Sequence, residues 1–248
     1  MRHAVLSLAL VLLLTPLAAG HGEGGEAPGP LDAAARDFDQ LHLDIRVTPD
    51  LEQGRIDGRV TIAFEARVDG LQRLRLHAAG LQILAAVDDQ ARALAFEAKD
   101  GLLLVDLARS MSRGEGGAVT IRYRATPLRG LFFHRPTDAH PETPVFLYSQ
   151  GQSNDTRHWI PCYDLPDDRF AWDLRVVVPE ELDTVSNGDR VAARALDDGL
   201  REDHWRFDDR APSYLISLIV ADLETRTTTW QDVTLEYSAV PERAAELE

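Results

Sequence analysis

The chain has 248 residues, with 41 acidic against 26 basic side chains, a formal net charge of −15 and a single cysteine, Cys162. That balance disfavours nucleic acid and anionic membrane surfaces as partners, because both are held through a basic footprint. One cysteine excludes an internal disulfide, so the fold must rest on core burial alone.

Residues 1–20 read as an export signal. Met1-Arg2-His3 is a short basic start, Ala4 to Leu14 is an unbroken apolar run, and Leu17-Ala18-Ala19-Gly20 supplies small residues for cleavage. The run is too short to cross a bilayer core of ~30 Å, which needs ~20 residues. Residues 21–36, opening with His21-Gly22-Glu23-Gly24-Gly25-Glu26, read as a disordered linker. The expected location is exported, periplasmic or extracellular, with no membrane contact once the signal is removed.

From Phe38 onward the periodicity is two, the mark of strands with one buried face. Leu41, Leu43, Ile45 and Val47 alternate with His42, Asp44 and Arg46. Ile56 to Val68 presents Val60, Ile62 and Phe64 on one side. Leu74 and Leu76 follow, then short strands over Ile83–Val87, Ala93–Ala98 and Leu102–Leu107, the last two joined by a hairpin turn at Asp100-Gly101. Val119, Ile121 and Tyr123 alternate with arginines and threonine. Further on, Trp172, Leu174, Val176 and Val178 form one face of a strand. Val191–Leu196 and Leu200–Phe207 flank a hairpin turn at Asp197-Asp198-Gly199. Tyr214 to Ala221 is apolar on both faces and predicts a central, covered strand. Thr227 to Tyr237 alternates again. Val240-Pro241-Glu242 opens a helix that the chain barely begins. The reading is an all-β, antiparallel, sandwich-like domain over 37–240, with 241–248 as the start of a helix cut short.

Leu147 to Pro166 is the exception. It is dense in polar and aromatic residues, has two prolines and lacks periodicity, and so predicts an irregular surface segment carried on the β framework. Strong catalytic motifs do not occur: there is no His-Glu-x-x-His pair, phosphate loop or nucleophile elbow. His134 and His140 would need a third ligand from elsewhere to hold a metal. Ser149 or Ser153 with His158 and Asp155 or Asp164 can be written as a triad, but closeness in sequence is not triad geometry. Asp164, Asp167 and Asp168 are better suited to capping a turn after Pro166 than to holding a cation. Cys162, between Pro161 and Tyr163, reads as a small buried hydrophobe.

Gln150-x-Gln152 followed by Asp155-x-Arg157-x-Trp159-x-Pro161-Cys162-Tyr163-Asp164-x-Pro166 resembles the N-terminal domain signature of zinc aminopeptidases of the aminopeptidase N and leukotriene hydrolase type. Arg169-Phe170-Ala171-Trp172, Val178-Pro179 with Val185-Ser186-Asn187-Gly188, and Pro212-Ser213-Tyr214-Leu215-Ile216 agree in order. The resemblance implies a saddle-shaped all-β first domain, followed by a catalytic domain that carries the zinc ligands. No cofactor is expected in this chain; zinc is expected in the missing catalytic domain. It further implies that Gln150 and Gln152 form one wall of the substrate site and meet a peptide through its amino end. Gln152 stands where the family usually has Glu, although a Gln here resembles the leukotriene-hydrolase branch. A charge-assisted hydrogen bond to an ammonium is worth about 1.5–3 kcal/mol against about 0.5–1.5 for a neutral one. The glutamine carbonyl still accepts from the amine but brings no charge. Arg157, Trp159, Pro161, Cys162, Tyr163, Asp164 and Pro166 are expected to brace the segment.

Two functions follow. In the first, the chain is the substrate-site wall of an exported metallo-aminopeptidase, inactive without its catalytic domain, which packs against it. In the second, it is a free-standing exported β-module for binding or assembly. An apolar patch left by a catalytic domain would favour the first.

Overall fold

The computed structural model describes residues 36–247; the expected export signal and nearly all of the linker lie outside them. The first half of the chain forms β1 (Phe38–Asp50), β2 (Arg55–Ala66), β3 (Leu71–His77), β4 (Gln82–Asp88), β5 (Phe96–Lys99), β6 (Leu102–Met111), β7 (Gly116–Ala125), β8 (Gly130–His134) and β9 (Phe146–Gln150). The second half forms β10 (Phe170–Pro179), β11 (Asp183–Ser186), β12 (Asp189–Ala195), β13 (Leu200–Ala211), β14 (Leu218–Ala221), β15 (Glu224–Trp230) and β16 (Val233–Ala239).

These strands build a seven-stranded sheet in the order β12-β13-β10-β1-β2-β7-β4, a four-stranded sheet β11-β14-β9-β8, a three-stranded sheet β3-β6-β5 and the hairpin β15-β16. Period-two alternation explains the main core. Leu43, Ile45 and Val47 of β1, Val60, Ile62 and Phe64 of β2, Ile121 of β7 and Leu174 and Val176 of β10 are buried in one cluster. Leu74, Leu76, Leu103 and Val105 of the small sheet join that cluster, as do Leu147, Leu218 and Val220 of the four-stranded one. Burying each such side chain contributes about 1.5–3 kcal/mol. The sandwich-like all-β reading holds, and the turns at Asp100-Gly101 and Asp197-Asp198-Gly199 connect the strands expected of them.

The structure corrects or refines six local expectations. Leu41 is exposed, because a bulge between Gln40 and His42 shifts the phase of β1 and buries Gln40 in its place. One pair is parallel: β1 runs alongside β10 from His42 opposite Ala171 to Val47 opposite Val176. Such a pair needs a long crossover, which β2 to β9 provide. Leu147 to Gln150 is not irregular; it is most of β9, and its partner β8 carried no sequence expectation. Tyr214 to Ala221 is not one strand. Ser213–Leu215 forms a 3₁₀ turn with Leu215 exposed, and only Leu218–Ala221 joins the sheet. Thr227 to Tyr237 folds back on itself as the hairpin β15–β16, turning at Gln231 in the left-handed region (φ 54°). The helix that opens at Pro241 is of the 3₁₀ type over Pro241–Leu247 and buries none of its residues.

Candidate functional site

Gln150 is the last residue of β9, opposite Gly130 of β8, on the strand that pairs with β14 along its other edge. Its side chain is exposed. The chain then turns sharply. Asp155 N donates to Gly151 O at 2.8 Å and closes a loop that carries Gln152, Ser153 and Asn154 outward. Gln152 is exposed, and its peptide bond to Ser153 is cis. Among the described residues neither glutamine amide makes a hydrogen bond. The two form a lip of uncommitted carbonyl acceptors and amide donors.

Two glycines let the backbone close beneath this lip. A Cβ on Gly130, whose φ is +75°, would lie 1.9 Å from Asp155 O. A Cβ on Gly151 would lie 2.7 Å from Tyr214 O and 2.8 Å from Thr156 Oγ1. Only a residue without a side chain fits either place. Thr156 Oγ1 in turn donates to Ser213 O at 3.0 Å, tying the 3₁₀ turn Thr156–His158 to the one at Ser213–Leu215. Arg129 clasps Asp155 (Nη2 to Oδ1 3.1 Å), which neutralises the carboxylate nearest the lip.

Behind the lip the segment is largely buried and its charged groups are engaged, while the buried Trp159 Nε1 has no hydrogen-bond partner. Arg157 is held by Asp164 in three ways: backbone N and Nε each donate to Oδ2 at 3.0 Å, and Nη2 donates to the Asp164 carbonyl at 2.7 Å. Ser213 Oγ donates to the other oxygen, Oδ1. Asp164 N donates to His77 Nδ1 at 3.0 Å, and His77 and Cys162 exchange backbone bonds at 2.8 and 3.2 Å. Burial, helped by the Arg157 charge, pulls the His77 imidazole down to about 3, so it is neutral and Nδ1 is a standing acceptor. Burial pushes the Cys162 thiol well up, with Asp164 adding to the effect; the residue is an inert part of the core.

A second clasp comes from the β1 bulge. Gln40 Nε2 donates to Tyr163 O at 3.0 Å while Tyr163 N donates to Gln40 Oε1 at 2.9 Å, so one side chain imitates a strand partner. Gln40 Nε2 also reaches Asp168 Oδ2 at 3.1 Å, and Arg36 meets Asp168 Oδ1 at 2.7 Å. Burial outweighs the arginine and raises the Asp168 carboxyl to about 6. Arg157, Trp159, Pro161, Cys162, Tyr163 and Asp164 are all buried, while Pro166 is exposed and braces nothing. Sequence reasoning missed His77 and Gln40 and met Ser213 only as part of a family motif; all three lie far along the chain from this segment. Gln40 left one trace: a polar residue in phase with the buried Phe38.

The weaker constellations do not assemble. Ser149 Oγ accepts from Leu218 N at 2.8 Å, and no bond links Ser149 or Ser153 to His158 among the described residues. Asp164 and Asp168 are saturated by protein donors, and Asp167 lies beside Tyr163 Oη at 3.3 Å. Among the described residues no group of three or more His, Cys, Asp or Glu side chains is placed to hold a metal ion.

Residues 39–215 match the model of the peptidase M1 N-terminal domain. The chain is 27% identical over 226 residues to leukotriene A-4 hydrolase of Xenopus laevis, covering 86% of this chain and 37% of that protein. It is 25% identical over 234 residues to aminopeptidase B of Mus musculus, covering 82% and 35%. Among solved structures, the M1 zinc metallopeptidase of Deinococcus radiodurans superposes with a TM-score of 0.67 at 27% identity, covering 78% of this chain and 44% of that one. A mutant of that enzyme bound to a Tyr-Ser-Ala substrate gives a TM-score of 0.68 at 25% identity, covering 85% and 51%. The chain thus spans between about a third and a half of the length of these relatives. With the family signature seated on the braced segment and the match running through the strands on either side, the chain belongs to the M1 peptidase family, as an N-terminal domain of that family.

Proposed function

We propose that this domain is the non-catalytic wall of a peptide site in an exported M1 aminopeptidase. Gln150 and Gln152 receive the amino end of a peptide, and hydrolysis is carried out by a zinc-bearing catalytic domain packed against this one. The observation that carries the reading is the uncommitted pair of glutamines on a rigidly supported, outward turn. Groups that a fold leaves exposed and unbonded on a fixed scaffold are suited to contacts with a ligand. The relatives' names support a peptide as that ligand. Exposed apolar side chains support a docked neighbour: Leu128, two residues before Gly130, is 86% exposed, and Trp230 at the end of β15 is 62% exposed.

Three measurements test this. The purified 248-residue chain is expected to release no amino acid from aminoacyl anilides with zinc added; zinc-dependent turnover would refute the division of labour. The gene read past codon 248 is expected to encode His-Glu-x-x-His. In the product of that longer reading frame, Q150A and Q152A should each raise KM for peptides about tenfold with kcat little changed, as loss of ground-state binding requires. Unchanged KM in both variants would remove the glutamines from the site.

A further inference from the structure

The outer face of the seven-stranded sheet carries an arrangement that the peptide site does not use. Strand register places Arg175 of β10 opposite Arg46 of β1, Arg46 opposite Arg59 of β2, and Arg59 opposite Arg122 of β7. The flanking residues Leu174, Ile45, Val60 and Ile121 are fully buried, so alternation sends all four arginines to the other side. The result is an unbroken row of guanidinium groups across four neighbouring strands, roughly 14 Å long at about 4.8 Å per strand. Like charges directly opposite one another destabilise a sheet. The row stands out in a chain whose net charge is −15.

Two of the four are neutralised. Arg46 Nε meets Glu202 Oε2 at 2.7 Å, and Arg175 meets Asp44. Asp57, on the rim, is taken by Arg124 at 2.9 Å. Arg59 and Arg122 are exposed and meet no carboxylate among the described residues. All four line an open hollow of about 520 Å³, together with Thr48, Arg194 and the carboxylates of Asp57 and Glu202; Arg194 is itself paired to Glu202 at 3.1 Å.

We propose that this hollow binds a small phosphorylated molecule, its phosphate held between Arg59 and Arg122. Two adjacent planar forks, each able to donate two parallel bonds, match a phosphate dianion, which offers oxygens to both and cancels both charges. A single carboxylate would leave the pair net positive. The hollow has the volume of an ordinary small-molecule site, about 300–1,000 Å³, and leaves room for an organic group beyond the phosphate.

The test is titration calorimetry of inorganic phosphate and pyrophosphate into the purified 248-residue chain at low ionic strength, where exposed charges are least screened. Saturable pyrophosphate binding at one site is expected, weaker for phosphate. R59Q/R122Q should weaken it about tenfold or more, whereas R113Q/R226Q, which removes the same charge from exposed positions elsewhere, should leave it unchanged. R59K/R122K, which keeps the charge and loses the forks, should fall between. Without anion, R59Q/R122Q should melt no lower than the parent, because repulsion has been removed. The proposal fails if pyrophosphate does not saturate, if both glutamine variants lose equal affinity, if the lysine variant binds as well as the parent, or if R59Q/R122Q melts at a lower temperature.

Discussion

The segment after β9 has two halves that treat polar residues in opposite ways. Between Gly151 and Asn154 the chain holds Gln152 and Ser153 in the open, and among the described residues no hydrogen bond reaches the side-chain amide of Gln150 or Gln152. Between Thr156 and Asp164 it buries an arginine, an aspartate, a threonine and a cysteine, and satisfies their charges and amides from His77, Gln40 and Ser213. The first half spends no side chain on the fold, and the second spends nearly all of its own. The contrast shows how an irregular segment can hold exposed polar groups in fixed places: the order comes from one half, the exposed groups from the other.

The largest effect should come from breaking the buried half. Asp164→Ala leaves Arg157 in the interior without its counter-charge, and should destabilise the chain by about 3–5 kcal/mol in urea unfolding. Loss below about 1 kcal/mol would mean that water reaches the pair. Gly130→Ala should cost about 2–4 kcal/mol, since its Cβ runs into Asp155 O in a left-handed backbone region. Thermal unfolding of that variant checks it.

The pH response comes next. His77 titrates at its ordinary 6.5 in the unfolded chain and at about 3 when folded. In that window the unfolded state binds more protons, so its contribution to stability is complete above pH 6.5 and is lost as pH falls towards 3, by at most about 1.4 kcal/mol per unit. Asp168 opposes it. Its carboxyl moves from 3.8 to about 6 on folding, the folded state keeps the proton in between, and stability is lost as pH rises through that range. Urea midpoints against pH should therefore be flatter on the acid side for His77→Gln, and steeper for Asp168→Asn, than for the parent. Parallel curves for all three would discard both assignments. The smallest effect belongs to the lip: Gln150→Ala and Gln152→Ala should each leave stability within about 0.5 kcal/mol, because nothing in the fold rests on them.

Alternation made most of the sheet legible. Val60, Ile62 and Phe64, or Leu174 and Val176, state their buried face in the sequence, and the structure uses that face. What alternation cannot express is a change of phase or a distant partner. Leu41 was misplaced because Gln40 is buried by bonds to Tyr163 and Asp168, residues of another part of the chain. Tyr214 to Ala221 is apolar apart from Ser217, and such a run does not say where a turn ends and a strand begins. The Trp230-to-Val233 turn contains no glycine to announce it, so the hairpin β15–β16 read as one strand. Gln150 and Gln152 are singled out by the family signature and not by any physical pattern, since exposed amides leave no periodicity. His77 lay in the open as the end of an alternating run, but its bond to Asp164 exists only in three dimensions.

The position of Cys162 has a practical consequence. It is the chain's sole sulfhydryl, it is sealed in the interior, and burial disfavours the thiolate through which thiol reagents act. An alkylating dye therefore has one atom to find and no route to it while the core around it stays closed. The rate of labelling becomes a clock for the opening of that part of the fold, readable without introducing any tag.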